Sequence, residues 1–101
     1  MGTSKRYAAH YDRMMNDRIL ENAMRGHEPT SLTPPELELD VLPLTRTPQP
    51  EVVRAWVRYG ATAVKIEGRA VAWTPRAVAV EWDAPGGVHR AWLWASAVER
   101  P

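Results

Sequence analysis

Between residues 51 and 98 the chain alternates apolar and polar residues in short runs, each broken by a glycine or a proline. A strand sends successive side chains to opposite faces, so a two-residue period selects pleated sheet with one buried face. In EVVRAWVRYG the alternation is strict: Val53, Ala55, Val57 and Tyr59 fall on one face, and Arg54, Trp56 and Arg58 on the other. The runs read as five strands, 52–59, 62–67, 70–74, 76–83 and 88–95, with tight turns near Gly60, Gly68 and Pro75 and a four-residue loop from Ala84 to Gly87. Strands joined in this order are antiparallel to every neighbour, and five of them make a compact barrel or a curled sheet.

The upstream half has a different grammar. Over 5–25, Ala8, Tyr11, Met15 and Ile19 recur at helical steps, Met14, Leu20 and Met24 widen the apolar face, and Gly26 supplies a stop. Such a helix packs on its own domain, or uses Tyr11, Met15 and Ile19 to dock a partner, since methionine-rich faces adapt to varied surfaces. Residues 27–50 hold six of the nine prolines and read as a connector. Thr33, Pro34 and Glu36 match an N-cap, a first-turn proline and a capping-box glutamate, which predicts a short helix near 34–40. The organisation expected is thus helix 1–26, connector 27–50 and β unit 51–101.

The β unit, with its last run WLWASAVERP passing through a single helical turn at ASAVE, resembles the SH3-like small-barrel superfold. The resemblance implies an α+β chain: an N-terminal amphipathic helix and a Pro-rich connector followed by a five-stranded antiparallel SH3-like barrel. Peptide-binding members of that superfold carry an acidic, aromatic-rich first loop. None occurs here, so no binding residues carry over, and the fold leaves function open.

Function turns on the tryptophans. The hairpin over EWDAPGGVHRAWLW has two registers, and a one-residue slip exchanges the faces of the moving strand. With Glu81 opposite Arg90, Val78, Val80 and Trp82 face inward with Ala91 and Leu93, while Arg90, Trp92 and Trp94 face outward. With Val80 opposite Arg90 instead, Trp92 and Trp94 join the core. Burying one indole removes up to ~250 Å² from water, worth about 6 kcal/mol at ~25 cal/mol per Å². A small core with no phenylalanine therefore needs several of its tryptophans at least half buried. The structural reading assigns this to Trp73, Trp82 and either Trp92 or Trp94, with the helix or the leucine strip 37–44 covering the second face.

Composition narrows the partner. The 13 basic residues nearly cancel the 12 acidic ones, so bulk charge announces neither nucleic acid nor membrane. Cysteine is absent, which removes thiolate chemistry and cysteine-ligated zinc, and the polar opening MGTSKRY has no signal-peptide core; a cytoplasmic protein is the expectation. Eleven arginines against two lysines look like the codon bias of a GC-rich genome, such as that of an actinobacterium or its phages. The histidines at 10, 27 and 89 are too scattered to be metal ligands, and APGGVH lacks the Lys-Ser/Thr continuation of a phosphate cradle. Neither catalysis nor a cofactor is expected.

Arg54, Trp56, Arg58, Arg90, Trp92 and Trp94 are the candidate binding surface, with Tyr11, Met15 and Ile19 as a second one on the helix. The leading expectation is a small interaction protein that binds a protein partner or a second copy of itself, because tryptophan and arginine dominate protein hot spots. The alternative is a nucleic-acid-binding accessory protein of a phage or mobile element, since guanidinium neutralises phosphate while indole stacks bases.

Overall fold

The alternating half forms a five-stranded antiparallel sheet in the computed structural model, which describes residues 18–100. Its strands are β1 (Thr45–Tyr59), β2 (Thr62–Trp73), β3 (Ala77–Ala84), β4 (Gly87–Trp94) and β5 (Val98–Glu99), in the spatial order β4-β3-β2-β1-β5. Residues 18–24 are helical (α1), Pro34–Leu37 form one short turn of helix (α2), and Ala95–Ala97 a 3-10 turn. No described helix is long and apolar enough to cross a membrane.

Val53, Ala55, Val57 and Tyr59 are all buried, as their alternation requires, and they pack in one cluster with Val64, Ile66, Val80, Trp82 and Leu93. Leu20 and Ala23 of α1 belong to the same cluster, and Met24 packs against it. The helix therefore docks on its own sheet through an i, i+3, i+4 stripe. Gly26, at φ 70°, ends it, and the His27 N–H closes on the Met24 carbonyl at 2.9 Å. Ile19 lies off that stripe and is exposed, while Tyr11 and Met15 fall outside the described residues.

The hairpin adopts the register with Glu81 opposite Arg90. Its loop is tighter than expected: Ala84 pairs with Gly87, leaving Pro85 and Gly86 as the turn, with Gly86 at φ 93°. Proline followed by a positive-φ glycine is the type II preference, and this shorter turn keeps the same register. On the opposite face of β3, Ala77 and Ala79 are also buried, with Leu44 beside Ala79 and the Arg76 guanidinium 3.0 Å from Glu38 at the end of α2. The leucine strip, not the helix, thus covers the second face.

Three expectations are corrected. The sheet is not closed into a barrel, because β4 hydrogen-bonds as a strand only to β3, and β5 only to β1. The first strand starts at Thr45, seven residues before its expected start at Val52, and absorbs TPQP as an irregularity between Arg46 and Glu51, where Pro48 and Pro50 have no N–H to contribute. Gly68 is not a turn: the runs 62–67 and 70–74 are a single strand, and the fifth strand is Val98–Glu99 instead.

Gly68 stands where β2 crosses tightly over β3. A Cβ there would collide with the Glu81 carbonyl oxygen and sit 3.0 Å from Val80 Cγ1. The glycine serves backbone approach. Gly68→Ala is therefore expected to destabilise the fold by at least about 1–3 kcal/mol, the usual cost of overpacking. Chemical denaturation checks this, and an unchanged midpoint would refute the crossing.

Candidate functional site

Two chain segments cross the gap between β4 and the far edge of β1, and the space between them is a groove. On one side, the Thr30 N–H bonds the Arg58 carbonyl at 2.8 Å and the Leu32 N–H bonds the Trp92 carbonyl at 2.9 Å. Ser31 Oγ accepts the Trp92 N–H at 2.9 Å, and Pro29 bridges to Tyr59. On the other side, the 3-10 turn leads from Trp94 to β5, which pairs with Arg54 and Ala55. Trp92 turns both its N–H and its carbonyl away from β3, as alternate residues of an edge strand must. The connector thus caps an edge that would otherwise recruit other chains.

The groove measures about 540 Å³ and is lined by Trp56, Arg58, Trp92 and Trp94, with Leu32 and Glu36 from the connector. Trp56 is 52% exposed and Trp94 42%. Both are wide indole faces held on rigid strands. Trp56 shares the outer face of β1 with Arg54 and Arg58, and its cross-strand partner Lys65 sets its ammonium 6.0 Å from the indole centroid.

Four of the six residues expected to share a surface therefore meet in one groove, and two do not. Arg90 is drawn to Glu81 and lies on the far side of Trp92, beside Leu44 and Arg46. Arg54 stands between Glu67, opposite it on β2, and Glu99, opposite it on β5. Lys65 is paired with Glu99, whose carboxyl is held below the usual range first by the Lys65 hydrogen bond and then by its charge. Among the described residues, Arg58 forms no ion pair. The groove thus offers one uncommitted guanidinium among three indoles.

From the sequence, Glu36 reads only as a cap. Its Oε1 does accept the Thr33 N–H at 2.9 Å and the Thr33 hydroxyl at 2.9 Å. These bonds, the backbone one foremost, keep its carboxyl below the ordinary range, and Glu36 lines the same groove as Arg58. Leu32 and the seryl and threonyl positions before it carried no periodic signal, because the connector reaches the groove through backbone pairing.

Beneath the groove, the core contains a polar chain. Trp82 Nε1–H donates to the Tyr59 hydroxyl at 3.0 Å, and that hydroxyl lies 2.7 Å from His89 Nδ1. An indole N–H can only donate, so the Tyr59 hydroxyl accepts from Trp82 and shares a second hydrogen bond with His89 Nδ1. Tyr59 and Trp82 are both 0% exposed, which seals this cluster away from a substrate. A smaller cavity of about 220 Å³, beside Trp73 and Val98, opens at the unclosed end of the core. It adds no second aromatic or basic group besides Arg100, which already lies 3.5 Å from Glu51.

Compared with protein-family models, curated proteins and solved structures, the chain shows no significant match.

Burial raises the Tyr59 phenol above its ordinary value of 10.0, against a smaller opposite pull from the Trp82 bond. The unfolded tyrosine ionises first, so stability is complete below pH ~10 and is lost as pH climbs from there through the folded pKa. Tyr59→Phe is expected to cost about 1–3 kcal/mol at neutral pH, by stranding the Trp82 donor, and to flatten the alkaline decline. Thermal melts between pH 7 and about pH 11 check both effects; a variant melting like the parent at every pH would contradict the network.

Proposed function

We propose that this protein is a small non-catalytic interaction module whose tryptophan groove takes a segment of a protein partner. The observation that carries the reading is the pairing of two half-exposed indoles, Trp56 and Trp94, with the uncommitted Arg58 in one groove. Aromatic walls with a single guanidinium favour an apolar segment that bears a carboxylate, since tryptophan and arginine anchors concentrate binding free energy in desolvated pockets. The sheet that carries the groove is an open relative of the SH3-like small barrel. The 3-10 turn at Ala95–Ala97 and the short last strand returning to β1 support that likeness.

Charge weighs against the nucleic-acid alternative. Binding to phosphates needs several cations free to release counterions. Lys65, Arg69, Arg76, Arg90 and Arg100 each already have a carboxylate partner, and of the described arginines without one only Arg58 lines the groove. Glu36 adds an anion to the groove itself.

The test is selection of displayed random peptides on the wild-type protein, with tryptophan fluorescence titrations of the survivors and of mixed-sequence oligonucleotides at two salt concentrations. The expected survivors carry apolar residues beside Asp or Glu, lose binding in Trp56→Ala, and weaken on the order of tenfold or more in Arg58→Glu. Oligonucleotide quenching that fades with salt and vanishes in Trp56→Ala would instead install the nucleic-acid reading.

A further inference from the structure

The strip that follows α2 is ordered, apolar and uncovered. Glu38 adopts a left-handed conformation at φ 51°, and its carbonyl accepts the Val41 and Leu42 N–H groups at 3.0 and 2.8 Å, which folds the strip into a fixed turn. The Arg76–Glu38 pair ties that turn to the sheet. At its tip Val41 is 74% exposed, and Leu39 45%. Between them lies Asp40, exposed and in no ion pair among the described residues.

A fixed knob of two aliphatic side chains around a spare carboxylate is the chemistry that the groove accepts: indole walls and a spare guanidinium. Knob and groove sit on one face of the sheet. Leu32 and Glu36, just before the strip, line the groove against Trp92, and Leu44, at the strip's end, lies against the other side of Trp92. The strip's own anchorage at Glu38 holds it out of the groove of its own chain. Two complementary patches side by side on one face meet the requirement for a two-fold contact, in which each copy gives its knob and receives the other's.

We propose that the occupant of the groove is a second copy of this chain, docked reciprocally with Leu39 and Val41 against Trp56 and Trp94 and with Asp40 on Arg58. The proposal rests on the reading of the groove as a protein-binding site and names its partner. The dimer buries the most exposed aliphatic residue of the described chain and removes the exposed hydrophobic patch in one step.

Sedimentation equilibrium of the full chain, from about 10 μM to about 1 mM, tests it. The wild type is expected to dimerise, and Val41→Asp and Trp56→Ala each to weaken self-association on the order of tenfold or more. Both positions are exposed, so circular dichroism should be unchanged. Mixing the two variants is the decisive arm: the Trp56→Ala copy keeps a good knob and the Val41→Asp copy a good groove, so the mixed dimer has one intact contact where either variant's own dimer has none, and the mixture should associate more tightly than either variant alone. A wild type that stays monomeric throughout, or a dimer indifferent to both substitutions, overturns the proposal. If peptides still bind the groove of a monomeric protein, the interaction reading stands without self-association; if they do not, both fall.

Discussion

The indole N–H of Trp82 reaches the hydroxyl of Tyr59 inside the core, and the two rings meet edge to face with centroids 6.5 Å apart. Everything on the outer surface depends on that contact. A buried indole donor needs an acceptor, and Tyr59, the last inward residue of β1, is positioned to supply one. Once Trp82 faces inward, the two-residue period of β3 and its pairing with β4 turn Arg90, Trp92 and Trp94 outward. The same alternation in β1 turns Trp56 and Arg58 outward beside them.

The groove exists because the sheet does not close on itself. A barrel would pair β4 with β1 along a ladder and fill the space between them with backbone. Here two irregular segments span that gap, one hydrogen-bonded to Arg58 and Trp92, the other leading through the 3-10 turn to β5. Their separation leaves indole faces open between them. The proposed binding role thus follows from incomplete closure, and the connector, with its scattered prolines, is part of the site as well as a link to the sheet.

Much of this was legible in the sequence wherever side-chain period carries the information. The inward faces of β1 and β2, the stop at Gly26, the cap at Thr33 and Glu36, and one of the two hairpin registers can all be read from residue spacing. What escaped was backbone geometry. Gly68 reads as a turn because glycine breaks patterns, yet its role is to let one strand pass close to the Glu81 carbonyl. Closure into a barrel depends on long-range pairing, which alternation within a strand does not encode. Arg54 and Arg90 share the right face but not the groove: Arg54 stands in the ladder between Glu67 and Glu99, and Arg90 pairs with Glu81. Leu32 and Glu36 joined the site through connector contacts that no local pattern announces.

The groove stands or falls with the register of the 77–94 hairpin, which a nuclear Overhauser spectrum of its α-protons reads out. Trp92 turns its backbone groups away from β3, so Ala79–Trp92 and Glu81–Arg90 are the close, non-hydrogen-bonded pairs, with Cα atoms about 4.5 Å apart. A strong cross-peak between the α-protons of Glu81 and Arg90 is expected. A cross-peak that pairs Arg90 with Val80 instead would shift the strand by one residue, carry Trp92 and Trp94 into the core, and remove the groove.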